Sequence, residues 1–207
     1  MDKRGSFIVF EGGEGSGKDT IIERLKLTHP QNTVFTREPG GTVIGERIRA
    51  LLLGKDISDM DVRTELLLFL AARAQLIAQI ITPALSEGKT VITNRFGLST
   101  IAYQIYGRNR HDYLPFLREV SAFVTDTCTP DICILLDVTP SIGLQRVRQR
   151  HEETTRFDEE TVTFHERVRE GYKQHVAEFG VPHVIDADRS IEAVWNDVYA
   201  AVAPLLV

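Results

Sequence analysis

A chain of 207 residues suits a single α/β domain, and 43% hydrophobic against 26% charged residues is an ordinary globular mixture that can bury its own core. The formal net charge of −5 argues against a general nucleic-acid-binding surface and leaves room only for a local basic site that takes a small anion. Cys128 and Cys133 match no metal or redox spacing, the apolar run after Ser6 is too short for a signal peptide, and no stretch reaches about 18 uninterrupted apolar residues. The expectation is a cytoplasmic protein with no nucleic-acid and no membrane partner.

Phe7–Glu11 reads as a buried strand that runs into a glycine-rich turn, and residues 20–27 carry apolar side chains at helical spacing. Thr33–Arg37 is a second strand, closed by Pro39-Gly40-Gly41, and Val43–Leu53 is helical with Ile44, Ile48, Leu51 and Leu52 near one face. Residues 62–87 form a long helix stopped by Gly88, with Pro83 as a kink or a last turn. Thr90–Asn94 is a third strand and residues 131–138 a fourth. Thr139 then stands as an N-cap, with Pro140 opening a helix that runs toward Arg150. Residues 183–186 make a fifth short strand, and residues 190–206 a final helix. Strands that alternate with helices imply a mainly parallel five-stranded sheet covered on both faces, in one domain over residues 1–207.

Residues 12–19 carry the chemistry. Gly12, Gly13, Glu14, Gly15, Ser16, Gly17 and Lys18 follow the first strand and open the first helix, which is G-x-x-x-x-G-K in the context that motif requires. The glycines let backbone N–H groups turn inward around phosphate oxygens, and the helix N-terminus adds a favourable potential. Lys18 is placed in a solvent-facing loop, reaching the β- and γ-phosphates of ATP. Asp19 stands where Ser or Thr ordinarily meets Mg²⁺, and Thr20 follows. A carboxylate can ligate Mg²⁺, so Asp19 is the metal candidate, with Asn94 as a group beyond it. The fold class that follows is a P-loop NTPase-type α/β domain.

Four further segments narrow the reading. They are Thr36-Arg37-Glu38-Pro39-Gly40-Gly41-Thr42, Phe69-Leu70-Ala71-Ala72-Arg73, Asn94-Arg95-Phe96 followed by Ser99-Thr100-Ile101-Ala102-Tyr103-Gln104, and Leu136-Asp137-Val138-Thr139-Pro140. In this order and spacing the series closely resembles bacterial thymidylate kinase. The resemblance implies transfer of the ATP γ-phosphoryl group to dTMP, with Mg²⁺, in a homodimer. It further implies that Phe69 stacks on thymine, Arg73 bonds its carbonyl edge and Thr100 helps to read it. Tyr103 would pack on the deoxyribose, Arg37 and Arg95 would bind the acceptor phosphate, and Glu14 would meet the 3′-hydroxyl. Pro39, Ser99 and Gln104 complete the implied acceptor site.

Residues 146–160 resemble the family's small mobile lid, and four arginines between Arg146 and Arg156 stand out in an acidic chain. Because Gly15 leaves the P-loop without an arginine, Arg150 and Arg156 are expected to supply transition-state charge beside Lys18 and Arg95. Two alternatives remain open on the sequence. One is a kinase for another nucleoside monophosphate or a deoxynucleoside. The other is a nucleotide-binding protein that has lost catalysis, suggested by Asp19 and Asn94.

Overall fold

The computed structural model describes residues 4–29, 31–57, 59–149 and 154–206. Five strands, β1 (Phe7–Glu11), β2 (Thr33–Arg37), β3 (Thr90–Asn94), β4 (Ile132–Asp137) and β5 (Val181–Asp186), form one sheet in the order β2-β3-β1-β4-β5. Every pairing is parallel, so all the strand ends open on one edge. β1 lies at the centre with all five residues buried, because both its faces are covered.

Successive side chains of a strand point to opposite faces, and β1 sorts its residues accordingly. Ile8 and Phe10 pack with Ile21 and Leu25 of α1 (Lys18–Thr28) and with Val194, Val198 and Val202 of α8 (Ile191–Val202). Phe7 and Val9 pack on the other side with Leu76, Ile81 and Phe96. Cys133 and Leu135 of β4 continue that layer under α7 (Val162–His175), through Phe164, Val168 and Tyr172. Both α2 (Val43–Leu53) and α6 (Pro140–Gln149) follow the sequence expectation closely.

The long helix α3 (Val62–Ser86) is apolar enough, at a mean hydropathy of 1.6, to cross a bilayer by length and composition. Part of its apolar surface serves the core: Leu66, Leu70, Leu76 and Ile81 are buried, and so are Glu65 and Arg73, while Leu67 is half-exposed. The irregularity expected at Pro83 falls one turn earlier, as a π turn over Ile77–Ile81, with Thr82 N–H bonded to Ile77 C=O. Proline has no N–H and its ring crowds the carbonyl four residues back, and the wider turn relieves both problems. Gly88 ends the helix in the left-handed region, at φ 75°.

Three helices were not assigned from the sequence: α4 (Gly97–Thr100, continued by a π segment over Ile101–Gly107), α5 (Leu114–Thr125) and α7. The N-terminus of α4 has no local side-chain cap. Its cap comes from β1, where the fully buried Glu11 accepts Phe96 N–H at 2.8 Å, Ser99 N–H at 3.1 Å and the Ser99 hydroxyl at 2.6 Å. At β4, the Thr139 carbonyl accepts Gly143 N–H as expected of an N-cap, while its hydroxyl donates to Asp188 Oδ2 at 2.6 Å.

Candidate functional site

The carboxyl ends of β1, β2 and β3 frame a cavity of about 770 Å³ that runs from the P-loop to α3. Ligands of open parallel sheets bind at this edge, outside the strand ends. Glu14, Gly15, Ser16, Gly17, Lys18, Asp19 and Thr20 line one end, with Arg146, Arg189 and Ile191 beside them. Arg37, Pro39, Phe69, Arg73, Arg95, Ser99, Thr100, Tyr103 and Gln104 line the other. The cavity therefore brings together all the residues expected at the acceptor site. Gly12 and Gly13 do not line it.

The P-loop holds its shape through glycine at positive φ and through Lys18. A side chain at Gly15, whose φ is 69°, would place its Cβ 2.1 Å from the Gly143 carbonyl oxygen of α6. The fit is mutual, since a Cβ at Gly143 would lie 2.2 Å from the Glu14 carbonyl oxygen. Gly17 begins α1 without a side-chain cap, which leaves first-turn N–H groups for an anion.

The expectation of a solvent-facing Lys18 is corrected. It is the first helical residue, it is buried, and its Nζ donates to Gly12 O at 2.9 Å, Gly13 O at 3.0 Å and Ser16 Oγ at 3.0 Å. Burial, and then the neighbouring Arg95, bring its pKa down to about 7, against the pull of Glu14, Asp19 and Glu11. This is the ammonium the loop would offer to a phosphate, held ready among carbonyls.

Arg95 sits at the junction. Its backbone is left-handed, at φ 71°, in the turn that Glu11 anchors. Its guanidinium donates to Gly12 O at 3.0 Å, Ser99 Oγ at 3.2 Å, Tyr172 OH at 2.7 Å and Glu14 Oε1 at 2.8 Å. Tyr103 OH also donates to Glu14 Oε1, at 2.8 Å. Burial pushes the Glu14 carboxyl up, but the charges of Arg95 and Lys18 outweigh it and hold the pKa at about 2. Asp19 and Asn94 meet directly, with Asn94 Nδ2 donating to Asp19 Oδ1 at 2.7 Å, while Asn94 Oδ1 is buried without a partner among the described residues.

At the far end Arg73, 1% exposed, makes a two-pronged contact with Glu38, with Nε at 2.9 Å and Nη2 at 2.7 Å from Oε2, and Nη2 also donates to Thr100 Oγ1 at 2.8 Å. Its remaining nitrogen, Nη1, is buried without a partner among the described residues. Phe69 and Tyr103 stand with Phe157 as an aromatic wall, with ring centroids 6.3 Å and 5.6 Å from that of Phe157. Arg37 is half-exposed and paired with Glu46 at 3.2 Å.

The lid arginines divide. Arg150 lies outside the described residues. Arg156 does not line the cavity: it pairs with the buried Glu65 at 2.7 Å, donates to the Leu52 carbonyl and lies over the Phe157 ring at 4.5 Å. A carboxylate buried on an apolar helix needs a cation, and Glu65 takes this one together with Arg108. Arg146 lines the cavity and donates to Ala187 O at 2.7 Å, which fixes the loop before α8.

Sequence reasoning gave no role to Glu11, Arg49, Glu65, Phe157 or Tyr172. Arg49 lines the cavity beside Arg37 and donates to Pro39 O at 2.8 Å. Glu65 had a readable signal, since residues 65, 69 and 73 are spaced to share one face of α3. The tyrosine and the aromatic lid residue had none.

The sequence profile of the family described as thymidylate kinase matches residues 10–198. The chain belongs to the thymidylate kinase family. Among curated relatives, the thymidylate kinase of Halothermothrix orenii is 43% identical over 209 residues, covering 99% of each chain. That of Shouchella clausii is 41% identical over 209 residues, covering 99% of this chain and 97% of its own. That of Magnetococcus marinus is 40% identical over 203 residues, covering 94% of this chain and 96% of its own. Family membership thus extends over the P-loop, the Arg73 pocket and the segment after α6 alike.

Proposed function

We propose that the protein transfers the γ-phosphoryl group of ATP, bound with Mg²⁺, to dTMP, giving dTDP and ADP. An acceptor-phosphate oxygen forms a new bond to the γ-phosphorus as the bond to the β-phosphate oxygen breaks. The observation that carries the reading is the Arg73 guanidinium: it lines a cavity that runs to the P-loop, is buried and fixed by Glu38 and Thr100, and keeps one donor, Nη1, without a partner among the described residues. A donor so fixed suits the carbonyl edge of a base, and Phe69 offers an aromatic face to stack on it. Arg37, Arg49 and Arg95 present forks that suit the acceptor phosphate. Tyr103 and Glu14 lie between the two, where the sugar would sit.

The chain's own part in transfer is positioning and charge. Lys18 and the N-terminus of α1 hold the donor phosphates, Arg95 spans the two nucleotides, and Arg150 is the candidate for closing charge from the lid. Among the described residues no three metal-ligating side chains converge. Mg²⁺ in phosphate sites needs only one or two carboxylates beside phosphate and water, so Asp19 fits, and Asn94 Oδ1, buried without a partner among the described residues, suits a water held there. Bound with ATP, Mg²⁺ would neutralise charge on the β- and γ-phosphates. A cytoplasmic homodimer completes the proposal: Leu67 of α3, Leu51 of α2 and Phe116 and Phe123 of α5 are exposed apolar side chains in want of cover.

ADP release measured with dTMP, dUMP, thymidine and other monophosphates tests the reading. Turnover should be greatest with dTMP and depend on Mg²⁺. A preference for a different acceptor, or no release with any, would overturn it. Sedimentation as a monomer at micromolar concentration would overturn the dimer.

A further inference from the structure

Glu65 has no place in the reaction just proposed, yet it is 1% exposed and four donors converge on it. Arg108 gives Nε to Oε1 at 3.2 Å and Nη2 to Oε2 at 3.1 Å, and Arg156 pairs with Oε2 at 2.7 Å. Burial pushes the Glu65 carboxyl up, but its bonds to Arg108 outweigh that and hold it below the usual range, so it is an acceptor only. The fourth donor is Gln104 Nε2, 2.9 Å from Oε1.

That last bond settles which way the amide of Gln104 faces. An ionised carboxylate cannot donate, so only the NH₂ side of the amide can meet it. Gln104 lines the cavity, and with its amide nitrogen turned to Glu65 its carbonyl oxygen is the acceptor it offers there. Arg73 lines the same cavity, and its Nη1 is a buried donor without a partner among the described residues. One acceptor and one donor match the thymine edge, where the N3–H donates and the 4-carbonyl accepts. Cytosine reverses both groups, with an unprotonated N3 and a 4-amino group.

We infer that Glu65 is a specificity-determining positioning residue: clamped by Arg108 and Arg156, it locks the Gln104 amide in the orientation that accepts from N3–H and so excludes cytosine. The inference rests on the proposed dTMP reading. It also gives Arg156 work that sets the base end of the site, at a distance from the phosphates.

The test is the ratio of kcat/KM for dTMP to that for dCMP. Glu65→Gln removes the obligate acceptor and lets the Gln104 amide turn. The ratio should fall about ten- to hundred-fold, carried mainly by KM for dTMP. Combining E65Q with Q104E should restore it, because a carboxylate at 104 accepts from the amide at 65 and still presents oxygen to the cavity. If E65Q does not fold, Glu65→Asp keeps the charge for the arginines while withdrawing it from Gln104, and the ratio should fall likewise. A folded E65Q or E65D that keeps the wild-type ratio within about twofold overturns the inference, since a purely structural role would change stability without relaxing base choice. If the wild-type protein itself shows no preference for dTMP over dCMP, the functional reading fails, and the inference with it.

Discussion

The two ends of the cavity are built on different terms. At the base end, charges are buried in pairs: Arg73 with Glu38, and Glu65 with Arg108 and Arg156, all anchored on the core helix α3 or on elements packed against it. At the phosphate end, Lys18 is held by backbone carbonyls and one hydroxyl, Asp19 by a single amide, and Arg37 by a half-exposed carboxylate. A base must be told from its near relatives, so its readers need one orientation each. A triphosphate is recognised by charge, and its binders must adapt as metal, donor and products come and go. On the proposed function, the buried ion pairs stand where discrimination is needed.

The largest effect that would sharpen the contrast lies in rate. Lys18→Ala should lower turnover by about 10²–10³-fold, the scale for losing one preorganised charge. The folded variant, checked by circular dichroism, should release ADP at that reduced rate; near-normal turnover would remove the P-loop from the mechanism. Because Lys18 is buried, its melting temperature should also drop.

Next comes stability at the base end. Arg73→Ala leaves the Glu38 carboxylate buried and unpaired, which costs about 3–5 kcal/mol in denaturant unfolding. The comparison breaks if Arg73→Ala proves as mild as Arg37→Ala, whose partner pair is 53% and 44% exposed. For Arg37→Ala the expected loss is under about 1 kcal/mol, together with a raised KM for dTMP.

Asp19 and Asn94 should behave as one unit. Asn94→Asp would face two carboxylates across the present 2.7 Å contact, and Asp19→Thr would leave none in the pair. Each single change should lower turnover across a magnesium titration. The double variant should recover it, with a coupling of about 0.5–3 kcal/mol. Additive effects would show the two positions to be independent.

The smallest signal is a proton. With a folded-state pKa of about 7, Lys18 is largely neutral at pH 8, whereas its ordinary value is 10.5. A base whose pKa is depressed by folding binds fewer protons folded than unfolded, so its contribution makes stability rise with pH between those two values. Phosphate charge reverses the shift. ATP binding at pH 8 should therefore take up a fraction of a proton, and affinity should fall as pH rises above 7. Calorimetry in buffers of different ionisation enthalpy measures the uptake; no uptake would place Lys18 already charged.

The five strands were legible from short β-branched and apolar runs such as Phe7–Glu11, although β5 begins at Val181, two residues before the expected start, and the residues expected at the acceptor site came from compact motifs such as Thr36-Arg37-Glu38-Pro39. What was illegible depends on distant partners. The helix α4 carries no cap of its own, since Glu11 supplies it from another element, so local start signals were missing. Lys18 looked exposed because glycines surround it in sequence, while the carbonyls that enclose it appear only when the loop closes. Arg156 read as one arginine of a basic stripe, and only the fold reveals the carboxylate of α3 that claims it.

The close contact of Gly15 with Gly143 bears on how such enzymes can diverge. An arginine carried at position 15 would put its Cβ 2.1 Å from backbone of α6, so no rotamer can rescue it. A charge carried on a side chain at position 15 would therefore require α6 to shift. Where the lid supplies the helper charge, as proposed for Arg150, this contact keeps it there.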